Sequence, residues 1–247
     1  MIIDSHAHIG LVDGNLVTPK ALIKGMDESG VDKSVVFQLT RNPKRDNTEV
    51  ASFVKQNSKR LIGYAHINPH PDQGPIKEIE RAIKKLFLKG IKVHPALDGF
   101  SIHDEIMHPI MEKAQALQIP VLSHSGWSYI GCGSAYAQPL QCLYIAEQFP
   151  KATFIIAHMG GANNIWTDAI KAAKKSENIF LDTTGQAPMA IEKAIKEIGA
   201  ERILFGTDAP WAFHILEVMK IKMLKANQNE KELILGKNIA RILRVSA

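Results

Sequence analysis

Two histidines stand two residues apart in the first apolar run of the chain, MIIDSHAHIG. Successive side chains of a β-strand point to opposite faces, so His6 and His8 would project together from one face. A pair of neutral imidazoles on one face can bind one divalent metal ion. The spacing alone also fits a chance pair at a strand end, so the remaining polar residues must decide between these interpretations.

Other side chains that bind metal or move protons fall at the ends of later apolar runs. His124 follows PVLS, His158 follows FIIA, and Asp208 follows ILFGT. Three imidazoles and one carboxylate make a compact ligand set that suits zinc and other divalent first-row metals. The set would comprise His6, His8, His124 and Asp208. Such a metal supplies hydroxide at neutral pH, while Asp208 would transfer its proton and His158 would stabilise developing charge.

These residues require a fold that brings the ends of separate strands together. Short apolar runs rich in β-branched residues alternate with segments of helical periodicity, which predicts parallel strands joined by helices. The eight runs are MIIDSH, KSVVFQL, LIGYAHI, GIKVHP, IPVLSHS, ATFIIAH, NIFLDTT and RILFGTD. Helical patterns lie near residues 18–29, 45–58, 74–88, 103–117, 138–149, 162–175 and 188–198, with shorter ones at 211–226, 229–235 and 237–243. This α/β alternation predicts one domain over 1–247, a (β/α)8 TIM barrel whose strand ends open on one face.

Composition narrows the classes of protein that the chain can belong to. The net charge is +5, but the lysines are scattered along helical patterns, so we expect no nucleic-acid binding. No apolar run approaches a membrane span, the amino terminus lacks the pattern of a secretory signal, and the two cysteines lack C-x-x-C spacing. We therefore expect a cytoplasmic protein with a small-molecule substrate and no membrane partner. A homodimer is expected only because twofold dimers are the commonest oligomers.

Several further residues near the strand ends have both a site interpretation and a structural one. His66 either binds substrate or supports a ligand, or it is a structural histidine. His94 either lines the pocket or packs in the core. Arg41 either clamps a substrate carboxylate or is a solvated loop residue. Trp127 and Trp211 either wall a pocket for a planar substrate or pack the loops.

The segments IDSHAHIG, GIKVHP, PVLSHSG, IIAHMGG and RILFGTDAPW, in this order, resemble the amidohydrolase superfamily, and most closely its amidohydrolase 2 family. The resemblance spans essentially the whole chain. It implies that the metal ligands are those named above and that His158 acts on water or substrate. Lys92 keeps an alternative open, because some superfamily members use a carboxylated lysine on strand 4 to bridge two metals. In such members the residue that matches His158 is a ligand of the second metal.

This family contains metal-dependent hydrolases and also decarboxylases similar to aminocarboxymuconate-semialdehyde decarboxylase. The chain is shorter than the decarboxylases associated with the family, which favours a hydrolase acting on an amide, ester, lactone or cyclic C–N bond of a small molecule. The alternative is a non-oxidative decarboxylase, a lyase, of a small carboxylated aromatic or unsaturated substrate. Either enzyme would use one divalent metal ion. We expect Zn²⁺, with Mn²⁺ or Fe²⁺ as alternatives, and one ion rather than two.

Overall fold

The computed structural model describes residues 1–40, 42–126, 136–161 and 165–246. Strands are numbered in chain order within this part of the chain. They are β1 (Ile3–His8), β2 (Gly10–Val12), β3 (Asn15–Val17), β4 (Lys33–Phe37), β5 (Leu61–His66), β6 (Gly90–Val93), β7 (Val121–Ser123), β8 (Phe154–Ile156), β9 (Ile179–Asp182) and β10 (Ile203–Leu204). Strand β1 and the strands from β4 to β10 form one sheet in chain order, and every neighbouring pair is parallel.

The sheet closes on itself between its first and last strands. Ala7 pairs in parallel with Ala209, and the amide of Asp208 donates to the carbonyl of His6 at 2.7 Å. This closure confirms the predicted barrel. It also brings Asp208, which follows β10, beside the two histidines of β1.

Helices surround the barrel, and proline begins many of them. They are α1 (Pro19–Ser29), α2 (Pro43–Gln56), α3 (Pro75–Lys84), α4 (Pro95–Asp98), α5 (His108–Leu117), α6 (Pro139–Gln148), α7 (Trp166–Lys175), α8 (Pro188–Ile198), α9 (His214–Met223), α10 (Gln228–Glu232) and α11 (Asn238–Leu243). Proline suits the first helical position because its missing amide would have no partner there. No helix in the described part of the chain is long and apolar enough to cross a membrane.

Alternate residues of each strand supply two apolar layers. On β5, Leu61 and Ala65 pack in the layer beneath the helices, whereas Ile62 and Tyr64 belong to the cluster inside the barrel. His66 continues the inward-facing series at the carboxyl end of the same strand. On β5 the interior therefore changes from apolar to polar, and the polar end lies at the mouth of the barrel.

A hairpin and a shortened helix are among the places where the local structure departs from the sequence expectations. Strands β2 and β3 form an antiparallel hairpin that the sequence analysis did not identify. Its turn residues Asp13 and Gly14 both have positive φ, 45° and 78°, and an Asp-Gly pair is a signal for such a turn. The helical pattern at 103–117 was too long, because the α-helix begins only at His108 after a 3-10 turn.

Candidate metal site

The two histidines of β1 meet one carboxylate at the mouth of the barrel. Their rings lie 5.7 Å apart, and both residues are buried. Oδ1 of Asp208 is 2.9 Å from Nε2 of His8 and 3.3 Å from Nε2 of His6. Two imidazole nitrogens therefore converge on one carboxylate oxygen.

His158 and His124 extend this group around the barrel axis. The ring of His158 lies 5.0 Å from that of His6 and 5.0 Å from that of His124. Ligand atoms of His6, His158 and Asp208 lie within 4.8 Å of one another, close enough to hold one ion. Nε2 of His124 is buried and has no hydrogen-bond partner in the described part of the chain. Buried polar atoms are nearly always bonded, so this nitrogen fits the role of a metal ligand.

Two residues of this group, His158 and Asp208, have unusual backbone conformations. His158 and Asp208 both follow barrel strands and have positive φ values of 56° and 59°. Such conformations are uncommon for residues other than glycine and cluster at functional sites. Beside them, Gly126 has φ +88°, and a Cβ there would lie 2.2 Å from the carbonyl oxygen of Gly160. The loops after β7 and β8 therefore approach each other too closely for a side chain at Gly126.

Asp182, the last residue of β9, orients the ring of His6. Its Oδ2 accepts a hydrogen bond from Nδ1 of His6 at 2.6 Å, and its Oδ1 accepts one from the amide of Thr184 at 2.7 Å. A carboxylate on Nδ1 fixes the tautomer that leaves Nε2 free to bind a metal. Asp182 was not among the predicted site residues. The rule that polar strand ends meet at the mouth would have identified it.

Burial favours the neutral form of two histidines of this group, His6 and His158. It lowers the pKa of His6 to about 4 and lowers the pKa of His158. Burial acts to raise the pKa of Asp208, but the hydrogen bond from His8 and the nearby histidines hold it far below its ordinary value. Neutral imidazoles and an ionised carboxylate are the forms that bind metal.

Lys92 lies beside the same group and is fully buried. Its Nζ is 3.4 Å from Nε2 of His6 and 4.8 Å from the centre of the Phe37 ring. Burial lowers its pKa to about 8. Lys92 is therefore in contact with the site, and its role as a bridge between two ions stays a prediction.

The two other histidines predicted near the mouth have different environments. The ring of His94 stacks on that of His124, with 4.1 Å between centroids and 7° between planes. His66 is fully buried, with Nε2 2.9 Å from Asp98 and Nδ1 3.8 Å from Asp46. His94 thus packs directly on His124, a candidate metal ligand. His66 instead interacts with the carboxylates of Asp98 and Asp46.

The remaining substrate-binding predictions concern the loops. Trp211 follows Asp208 by three residues, and its amide donates to the carbonyl of Asp208 at 2.8 Å. Its side chain is half exposed, so its role as a pocket wall stays a prediction. Arg41 and Trp127 lie outside the described residues.

Comparison with known proteins relates the whole chain to one family. A family model described as amidohydrolase matches residues 3–245. Gamma-resorcylate decarboxylase of Polaromonas sp. is 24% identical, over 76% of this chain and 76% of its own length. The 2-amino-3-carboxymuconate-6-semialdehyde decarboxylase of Dictyostelium discoideum is 22% identical, over 94% of this chain and 78% of its own length. A crystal structure of dihydroxybenzoic acid decarboxylase from Polaromonas sp. JS666, with bound manganese and the inhibitor 2-nitroresorcinol, has a TM-score of 0.79 at 18% identity and covers 98% of this chain and 96% of that one.

These relatives show that the expectation of a hydrolase was wrong, because they are decarboxylases. Chain length does not separate the two kinds of enzyme, since the chain covers 96% of a decarboxylase structure. The ligand pattern could not separate the two reactions, because a fold and its metal ligands serve many chemistries.

The comparisons agree with the molecule described above. The match runs from β1, which carries the H-x-H pair, to the end of α11. Between these limits the barrel presents imidazoles and a carboxylate at the strand ends, where this fold holds its active sites. The chain therefore belongs to the amidohydrolase family.

Proposed function

We propose that this chain is a metal-dependent decarboxylase that releases CO₂ from a small conjugated carboxylic acid. The observation that carries the proposal is the convergence of His6 and His8 on Asp208 in a chain whose relatives are decarboxylases. The substrates named for those relatives, gamma-resorcylate and aminocarboxymuconate semialdehyde, are carboxylates on unsaturated carbon. A substrate of this class is planar, which suits a mouth lined by the stacked rings of His94 and His124.

One divalent ion would be held by the ligand set named from the sequence. Nε2 of His6 and Nε2 of His8 already lie within 3.3 Å of one Asp208 oxygen, and the unbonded Nε2 of His124 supplies a further nitrogen. When bound, the ion supplies Lewis-acid chemistry that offsets negative charge on substrate oxygens. Three imidazoles suit zinc, whereas the Polaromonas relative holds manganese. Elemental mass spectrometry distinguishes these ions.

The reaction exchanges a carboxyl group for a proton. The bond to the carboxyl carbon breaks, CO₂ leaves, and the electron pair stays on the substrate carbon, which then takes a proton. The Asp208 side chain is 20% exposed, against 1% for His6, so it is the member of this pair that solvent protons can reach. We assign to its second oxygen, Oδ2, the relay of that proton, which it takes up transiently from solvent water and passes to carbon.

The role that we propose for His158 is to hold the substrate. Burial lowers the pKa of its imidazole, so the ring is neutral at physiological pH, with one nitrogen that donates and one that accepts. A ligand atom of His158 lies within 4.8 Å of one on Asp208, so both residues face the same reacting group. We assign to His158 a hydrogen bond to a substrate oxygen that gains charge as the carboxyl group leaves.

Metal analysis and CO₂ detection test this function together. The purified protein is screened against hydroxybenzoates and unsaturated dicarboxylates, beside the double variant His6→Ala, His8→Ala and the variant Asp208→Asn. Asp168→Asn, on the surface of α7, is the matched control. We expect about one equivalent of metal, lost in the double variant, and CO₂ release that falls at least about 100-fold in Asp208→Asn. A metal-replete protein that adds water to these substrates and releases no CO₂ would contradict the proposal.

A further inference from the structure

The segment that closes the barrel carries the carboxylate of the candidate metal site. Residues 205–209 follow β10, and we name them the closing segment. The amide of His8 donates to the carbonyl of Ala209 at 2.7 Å, so this segment is bonded to β1. Within it, Asp208 has a positive φ of 59°, which is uncommon for a residue other than glycine. Neighbouring groups must therefore hold Asp208 in this conformation.

The carboxylate of Asp4, which stands two residues before His6 on β1, is bonded to the closing segment. Asp4 is fully buried. Its Oδ1 accepts hydrogen bonds from the amides of His6 and Thr207, both at 3.0 Å. Its Oδ2 accepts from the hydroxyl of Thr207 at 2.7 Å and from that of Ser34 at 3.0 Å. Asp4 therefore joins β1, β4 and the closing segment at one point.

Hydrogen bonds rather than a close ion pair stabilise this carboxylate. Nε2 of His214 lies 3.8 Å from Oδ2 of Asp4, which is beyond hydrogen-bond distance. A buried carboxylate is costly unless its oxygens are bonded, so Asp4 depends on the donors that surround it. Two of those donors, an amide and a hydroxyl, belong to Thr207.

The hydroxyl of Thr207 connects Asp4 to both sides of Asp208. It donates to Oδ2 of Asp4 and accepts a hydrogen bond from the amide of Ala209 at 3.1 Å. Thr207 precedes Asp208 and Ala209 follows it, so one hydroxyl bridges the backbone across the residue with positive φ. Removing this bridge frees the amide of Ala209 and lets φ of Asp208 relax toward negative values.

We infer that Asp4 and Thr207 are positioning residues for the carboxylate of Asp208. The hydroxyl bridge fixes φ of Asp208, and φ sets the direction in which its side chain leaves the backbone. Oδ1 of Asp208 thereby lies 2.9 Å from Nε2 of His8. The inference rests on the proposed function for its effect on metal binding, whereas its effect on the conformation of Asp208 can be observed without metal.

Three variants separate this positioning from a general effect on stability. Thr207→Val keeps the shape of the side chain and removes the hydroxyl, whereas Thr207→Ser keeps the hydroxyl. Ser34→Ala is the matched control, because Ser34 donates to the same oxygen of Asp4 from β4 and not from the closing segment. Competition with a chromogenic chelator measures metal affinity, the thermal midpoint measures stability, and crystal structures of the metal-free proteins give φ of Asp208.

We expect Thr207→Val to bind metal about 10- to 100-fold more weakly than the wild type, as is typical when a partner of a metal ligand is removed. Thr207→Ser and Ser34→Ala should stay within about threefold, although Ser34→Ala lowers the thermal midpoint because it loses a buried hydrogen bond. In Thr207→Val, φ of Asp208 should become negative and Oδ1 should move beyond hydrogen-bond distance of His8. If Thr207→Val does not fold, Thr207→Ala replaces it, because alanine leaves no methyl group in the position of the hydroxyl.

Two results would overturn the inference. One is a folded Thr207→Val variant that keeps the positive φ of Asp208 or binds metal as tightly as the wild type. The other is a loss of metal affinity in Ser34→Ala equal to that in Thr207→Val, because the effect would then be one of general stability. A wild-type protein that binds no metal would instead refute the proposed function, and the crystal structures would then decide the inference by themselves.

Discussion

Replacing Asp182 with asparagine isolates the positioning of one metal ligand. The carboxylate accepts from Nδ1 of His6 at 2.6 Å on one oxygen and from the amide of Thr184 at 2.7 Å on the other. In Asp182→Asn the single carbonyl oxygen stays on the amide of Thr184, so the amide nitrogen of the new side chain faces His6. That nitrogen donates, which forces the proton of His6 onto Nε2, the atom that would bind metal.

The expected effect is a loss of metal affinity without a loss of fold. Removing a carboxylate that orients a metal-bound histidine typically costs 10- to 100-fold in affinity. Here the bond is short and both groups are almost fully buried, so we expect the upper end, about 100-fold or about 2.7 kcal/mol. Competition with a chromogenic chelator measures this affinity for the wild type, Asp182→Asn and the surface control Asp168→Asn.

Two outcomes of this titration would refute the reasoning. One is an affinity in Asp182→Asn within about threefold of the wild type, because Asp182 would then not orient the ligand. The other is an equal loss of affinity in Asp168→Asn, because the effect would then not be specific to the site. The thermal midpoint of the metal-free proteins provides the check on folding.

Further predictions concern groups outside the ligand set. Burial acts to lower the pKa of His66, but its hydrogen bond to Asp98 and the charges of Asp98 and Asp46 raise it above 6.5. The stability from this proton is therefore complete below pH 6.5 and is lost as pH rises through the folded-state pKa. The wild type should thus lose its stability advantage over His66→Gln in urea unfolding as pH rises above about 6.5, by up to about 1.4 kcal/mol per pH unit, and an unchanged difference would contradict this. The hydroxyl of Tyr64 is buried without a hydrogen-bond partner in the described part of the chain, so Tyr64→Phe should be neutral or up to about 1 kcal/mol more stable in the same assay. A loss of more than about 1 kcal/mol would show that the hydroxyl has a partner. Gly126→Ala should cost about 3 kcal/mol, because its Cβ would meet the Gly160 carbonyl at 2.2 Å with φ at +88°. Gly30→Ala has a positive φ but open space, so it should cost only about 1 kcal/mol, and equal losses would refute the steric argument.

The barrel and the main residues at its mouth could be predicted because both follow from simple periodicities. Alternation of strand and helix patterns predicts parallel strands, and parallel strands share one end. Because His6 and His8 are two residues apart, they share a face, and Asp208 meets them once β10 closes on β1. These relations need no knowledge of side-chain packing, which explains why they could be read from the sequence.

The remaining features depend on contacts that periodicity does not encode. The pairing of His6 with Asp182 joins residues 176 positions apart, and it emerges only when the barrel places β9 near β1. The choice between hydrolysis and decarboxylation depends on the substrate carbon, which the ligand set does not specify.

The central claim is that the reaction replaces a carboxyl group with a proton. Its most direct test is product analysis after turnover in D₂O and, separately, in H₂¹⁸O. The proposed function predicts CO₂, one deuterium on the carbon that carried the carboxyl group, and no ¹⁸O in the organic product. A product that contains ¹⁸O and retains its carboxyl group would contradict it.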